Sequence, residues 1–163
     1  MGSLAALGAL ACFALAACGS AVGAKDTSAT ASGLCASPQS VQRLTVQRIN
    51  GLPQNHEHYT FPAHLAVNDS ADARAAAEAI CALPPMPDGT FACPVDLGVA
   101  YRLDFTRDGK SLPAVTVDAT GCGEVKGAGG TRWTARTPGF WGTLGTAMSI
   151  PQASNTTFEG TMP

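Results

Sequence analysis

Charge is what this chain has least of. Only 13% of its 163 residues are Asp, Glu, Lys or Arg, and ten bases against twelve acids leave a formal net charge of −2. Without a basic excess there is no electrostatic footprint for nucleic acid, and no basic stripe for anionic lipid. Aromatic residues are also scarce, at 6%. No Cys-x-x-Cys pair occurs, so the usual zinc spacing is missing. Gly-x-Ser-x-Gly, a phosphate loop and His-Glu-x-x-His are absent as well. A non-enzyme without a cofactor is the expectation. The apolar run over residues 4–17 is about 15 residues, short of the roughly 20 that span a bilayer.

That run closes on Leu15-Ala16-Ala17-Cys18, followed at once by Gly19-Ser20. An apolar h-region, small residues and then a cysteine resemble the bacterial lipobox, in which the thiol takes a diacylglyceryl group. The reading is a signal peptide over 1–17, a lipidated Cys18 and a flexible tether over 18–40, rich in Gly, Ala, Ser and Thr. Two or three acyl chains would hold such a protein stably on the extracytoplasmic face of a cell membrane. Plain secretion with cleavage near Ala17 and a retained helix are the alternatives, but Gly19, Ser20, Lys25 and Asp26 do not read as a membrane flank. No Lys or Arg precedes Leu4, a gap that a start upstream of Met1 would fill.

With Cys12 and Cys18 assigned to the leader and anchor, Cys35, Cys81, Cys93 and Cys122 remain. An even set in an exported chain reads as two disulfides, with three possible connectivities. One domain over 41–150 is expected, with enough chain for a core. Leu44 and Val46 alternate in a first strand, and Tyr59, Phe61, Ala63, Leu65 and Val67 predict a second, with Pro62 marking an edge or bulge. Asp69 and Ser70 offer caps for a helix carrying Ala73, Ala76, Ala77, Ile80 and Leu83, stopped by Pro84-Pro85. Val99, Tyr101, Leu103 and Phe105 alternate up to the Asp108-Gly109 turn, and Val115, Val117 and Ala119 return: a β-hairpin. A further strand is expected near Arg132–Ala135. Thr137-Pro138 reads as cap and first turn of a second helix with Phe140, Trp141, Leu144 and Met148 inside. Residues 151–163 read as a disordered tail. The fold class is α+β, an antiparallel sheet of four or five strands with two helices packed on it.

Candidate chemistry is sparse. His56, His58 and His64 have the same parity, so in one strand they would share a face and offer imidazoles to zinc or copper, with Glu57 beside them. Yet His58 and His64 stand about 20 Å apart in a straight strand, and solvated polar side chains are the plainer reading. Asp96, Asp104, Asp118 and Glu124 give no base placed in a cleft. Gly127-Ala128-Gly129-Gly130 lacks the strand–helix context of a phosphate site and reads as a loop.

The segment Phe91-Ala92-Cys93-Pro94-Val95-Asp96-Leu97-Gly98, entering a hairpin that ends in Gly121-Cys122, is the most informative. It resembles the subtilisin-inhibitor family of filamentous Gram-positive bacteria over residues 73–122. In that family a Cys-Pro loop presents its scissile bond to a serine protease. The resemblance implies a subtilisin-inhibitor-like fold and an inhibitor loop over Cys93–Leu97, with Pro94 before the specificity residue Val95 and Asp96 just after the bond. An acidic residue there and a lipid anchor both depart from the family pattern. The chain is more closely similar to uncharacterised lipoproteins of high-GC Gram-positive bacteria, with a lipobox tether, a helix ending in Leu-Pro, Cys-Pro-x-x-x-Gly and a strand ending in Gly-Cys. No activity carries over from that group. The expected function is therefore an anchored binding or scaffolding module for an unknown envelope protein or ligand, with protease inhibition and metal binding as alternatives. An exposed, extended 93–98 loop would favour inhibition; a buried turn would favour a structural role. The expected pairing is Cys93–Cys122, joining the ends of one hairpin unit, with Cys35–Cys81. Its rival is Cys81–Cys93 with Cys35–Cys122, which would sever the link to the inhibitor loop.

Overall fold

The computed structural model describes residues 33–52 and 54–162. The leader 1–17 and the anchor Cys18 lie outside the described residues. Seven strands form one antiparallel sheet, β1 (Arg43–Asn50), β2 (His64–Val67), β3 (Val99–Arg107), β4 (Lys110–Ser111), β5 (Val115–Asp118), β6 (Glu124–Lys126) and β7 (Arg132–Trp133). Their order is β2-β1-β3-β5-β6-β7, with β4 continuing the hairpin beside β3. Three helices complete the fold: α1 (Ser70–Ala82), α2 (Phe140–Ala147) and α3 (Asn155–Glu159). The architecture is α+β as expected, with more strands and one more helix than the periodicity announces.

Local chemistry explains the best-formed elements. Strand β3 buries Val99, Tyr101, Leu103 and Phe105 and turns Arg102 to solvent, the period-two signature of a sheet covered on one face. Asp108 and Gly109 both take positive φ, which the tight hairpin turn requires. The β3 register then slips by one residue between Thr106↔Ser111 and Leu103↔Val115. Pro113, which has no N–H to give the ladder, lies within that bulge. Asp69 caps α1 by accepting from the Ala71 and Asp72 amides at 2.7 and 3.3 Å. The alanine face of α1, with Ile80, is fully buried, so small side chains bring the helix close to the sheet. Helix α2 starts at Phe140, two residues beyond the expected Pro138, after a turn in which the Phe140 amide donates to the Thr137 carbonyl at 2.9 Å.

Three expectations need correction. The predicted second strand is cut to His64–Val67. Before it the chain bends, and Phe61 drives its ring into the core, 6.1 Å from Tyr101 and 5.5 Å from Phe158. Aromatic burial, together with a proline that cannot donate, wins over alternation there. Pro62 does precede an edge strand, since β2 is the outermost. The expected disordered tail over 151–163 is folded. Ser154 and Thr157 form a capping box, Phe158 is completely buried, and the Tyr101 hydroxyl donates to the Phe158 carbonyl at 2.7 Å. The last correction concerns the end of the tether, residues 34–40, which forms two short 3-10 turns. Leu34 is buried, and Arg107 Nη2 donates to the Gly33, Leu34 and Ser37 carbonyls.

The four cysteines pair as Cys35–Cys81 and Cys93–Cys122, with Cα separations of 5.4 and 4.9 Å, within the range a disulfide needs. The first ties the 3-10 segment to the end of α1; the second joins the two ends of the β3–β5 unit.

Candidate functional site

The Cys-Pro loop runs from Phe91 to Gly98 without regular secondary structure, and residues 92–96 are exposed. Val95 is 78% exposed, more than any other large apolar side chain among the described residues. By the criterion set from the sequence, the loop is exposed and extended and is not a buried turn.

Its backbone is nevertheless fixed. Three consecutive residues at the end of the β5 side, Thr120, Gly121 and Cys122, each grip a different part of it. Cys122 is bonded to Cys93. The Gly121 amide donates to the Val95 carbonyl at 3.4 Å. The Thr120 hydroxyl donates to Asp96 Oδ1 at 2.8 Å and accepts from the Leu97 and Val99 amides at 3.1 and 3.3 Å. One donor and two acceptor positions exhaust what a threonine hydroxyl offers, and the side chain is buried to do it. From the other side Asn55 Nδ2 donates to the Leu97 carbonyl, and the Gly51 amide to the Gly98 carbonyl, each at 2.8 Å.

Asp96 is the residue whose placement differs most from its sequence reading. The residue is exposed, yet its Oδ1 reaches back to the loop's own backbone, accepting from the Gly98 amide at 2.8 Å as well as from Thr120. The hydrogen bond from Gly98, then that from Thr120, holds its pKa below the usual carboxylate range. The side chain lies over Gly121, where a Cβ would approach Asp96 Cβ to 3.1 Å on a backbone at φ +68°. A side chain at 121 would be strained by that φ and would crowd Asp96.

Beside the loop lies a groove of about 730 Å³ between residues 91–97, the 120–123 backbone and α2. Its walls are aromatic and apolar: Phe91, Trp133, Pro138 and Trp141. Phe91 packs on Trp133 at 5.7 Å between ring centroids, and the Trp133 indole donates to the Cys122 carbonyl at 2.6 Å. The indole thus backs the same residue that braces the loop. Neither the groove nor the bracing set of Asn55, Thr120 and Trp133 is visible in the sequence pattern. One signal was available: Asp96-x-Gly98 is the spacing of an Asx turn, in which a carboxylate accepts from the amide two residues on.

The other candidates are dispersed. His56, His58 and His64 are all exposed; His58 pairs its backbone with Thr161, and His64 sits opposite Gln47. Among the described residues no group of three or more His, Cys, Asp or Glu side chains is placed to hold a metal ion, so the histidine site does not form. The chain bends at Thr60-Phe61, but the bend buries Phe61 and leaves His64 exposed on β2. Asp104 pairs with Arg102 at 2.9 Å, and Lys126 lies 2.7 Å from Glu124 and 3.9 Å from Asp118. Burial raises the Asp118 pKa, with Lys126 opposing. These are exposed or half-buried ion pairs of small energetic weight. No described helix is long and apolar enough to cross a membrane. The chain matches no family model, no curated protein and no solved structure.

Proposed function

We propose that this chain is a membrane-anchored extracytoplasmic lipoprotein whose folded domain is a non-catalytic binding module, engaging an envelope protein through the Cys93–Leu97 loop. The anchor rests on the Leu15–Cys18 run and the small-residue spacer behind it. The observation that carries the binding role is the joining of exposure with bracing: Val95 is 78% exposed on a backbone fixed by a disulfide and by Thr120. A loop held in one extended shape has already lost the conformational freedom that binding would otherwise remove. The apolar groove alongside offers further contact area. Two measurements test the proposal. Cys18→Ala should release a folded protein into the medium; its persistence in carbonate-washed membranes would sink the anchor. A photo-crosslinker placed at Val95 in the lipidated protein should capture a discrete envelope protein, and one placed on the exposed β1 face at Thr45 should not.

Protease inhibition is the more specific form of this reading, favoured by the loop's conformation. The extended, pinned 93–97 backbone supports substrate-like docking in a serine-protease cleft, as the resemblance to the subtilisin-inhibitor family implies. Titration of a subtilisin-type protease with the domain should give stoichiometric loss of activity. Rapid, complete cleavage at Val95–Asp96 without inhibition would exclude it.

A further inference from the structure

We infer that Asp96 is a positioning residue of this loop and not part of what a partner reads. Its carboxylate gathers the Thr120 hydroxyl and the Gly98 amide, each at 2.8 Å, and fixes the backbone that turns Val95 outward. The inference deepens the inhibitor reading and rests on it for the identity of the partner. On sequence alone an acidic residue after Val95 calls for a cationic subsite in the protease. The geometry lessens that demand: although Asp96 is exposed, its Oδ1 already accepts two hydrogen bonds within the loop, and its side chain lies against Gly121. Outward recognition is left to Val95, a short β-branched apolar side chain. The partner this surface fits is a serine protease with a shallow apolar primary pocket and no basic group just past the bond. A deep aromatic slot would be left part-empty by valine, and a carboxylate-floored pocket would meet no cation.

Two readouts separate the positioning role from the inhibitor reading. In amide hydrogen exchange, Asp96→Ala should speed exchange at Gly98 by about tenfold or more, the loss expected for one charge-assisted hydrogen bond. Asp96→Asn should keep the protection, since its amide oxygen accepts the same two bonds. Thr120→Val should expose Leu97 in the same way, and Thr120→Ser should restore it. Unchanged exchange at Gly98 in Asp96→Ala overturns the positioning role whatever the protease data show. In inhibition assays with a subtilisin-type and an elastase-type protease, Asp96→Asn should behave as wild type. Asp96→Ala should be cut faster at 95–96, and Val95→Asp should lose binding. If Asp96→Asn loses as much inhibition as Asp96→Ala while Gly98 stays protected, the partner reads the charge and the inference is wrong. If the wild-type protein inhibits neither protease while the exchange pattern holds, the positioning role stands and the inhibitor reading falls.

Discussion

The surroundings of the two disulfides differ in kind. Around Cys35–Cys81 the neighbours are apolar: Leu34, Val41, Ala77 and Ile80 are buried, and Arg107 clamps the segment through its carbonyls. Around Cys93–Cys122 the chain is exposed from Ala92 to Asp96, and order comes from the disulfide and from hydrogen bonds to Thr120, Gly121 and Asn55. Hydrophobic burial is non-directional and tolerates adjustment, so it suits a body that need only stay folded. Hydrogen bonds fix direction, so they suit a segment whose shape matters while its surface faces water. A staple in the first region stabilises the domain, whereas a staple in the second holds a conformation.

The body side of this contrast is broken most strongly at Phe158. Its ring is fully buried and meets Phe61, Tyr101 and Trp141 at 5.5, 5.2 and 4.9 Å between centroids. Phe158→Ala should cost roughly 3–5 kcal/mol in chemical denaturation, the usual range for emptying an aromatic site. A loss below about 1 kcal/mol would mean that the C-terminal segment is dispensable after all.

Removing each disulfide sharpens the comparison. Sequence separations of 46 and 29 residues make the two worth about 4 and about 3.5 kcal/mol in the chain-entropy model. Cys35→Ala/Cys81→Ala and Cys93→Ala/Cys122→Ala should therefore lose similar global stability. Their native-state proteolysis should differ: only the second pair should be nicked rapidly between Cys93 and Leu97. Equal nicking in both would erase the distinction between stabilising and shaping.

How much of this could be read beforehand follows the same division. Strands β1, β3 and β5 and helix α1 were legible because one face of each is apolar and long enough to show its period. Strand β6 spans three residues, too few to show alternation. Helix α3 announces itself only through Ser154, Thr157 and one phenylalanine, and a Ser-Thr-rich end reads as loop unless Phe158 is given a destination. The Tyr59–Val67 alternation failed because Phe61 found better partners across the domain than β1 could offer. The Cys93–Cys122 pairing was foreseeable from hairpin geometry, since the ends of antiparallel strands meet, and Cys35–Cys81 as a staple between the spacer's end and the alanine-rich helix. The polar brace was not, because Thr120 and Asn55 lie 24 and 42 residues from the loop positions they hold, and polar side chains carry no period.

On the loop side, Thr120→Val is the cleanest polar deletion. It keeps the shape of the side chain but strands the Leu97 and Val99 amides and frees Asp96. A loss of about 1–3 kcal/mol is expected in thermal or chemical unfolding, the penalty for leaving buried donors unmet. Thr120→Ser should recover most of it. If valine is tolerated without loss, water is replacing the hydroxyl and the brace is weaker than its geometry suggests.

The smallest effect is one of pH, and it distinguishes Asp96 from the half-buried Asp118 beside it. Hydrogen bonds from Gly98 and Thr120 lower the Asp96 pKa. A carboxylate depressed in the folded state adds stability above its unfolded pKa, near 4, and that contribution is lost as pH falls through the lower folded value. Burial raises the Asp118 pKa, so its contribution has the opposite sense: present below the unfolded value and lost as pH rises through the folded one. Lys126 lowers both values, most directly that of Asp118 at 3.9 Å. Following the Gly98 amide and the two carboxyl carbons by NMR from about pH 2 to 7 should place the Asp96 midpoint below the ordinary aspartate value, about 4, and the Asp118 midpoint above it. Thr120→Val should move the Asp96 midpoint upward and leave that of Asp118 nearly unchanged, because only Asp96 loses a donor. A common midpoint for the two carboxylates would show that the loop carboxylate is solvated like any surface acid, and the directional brace would then reduce to the disulfide alone.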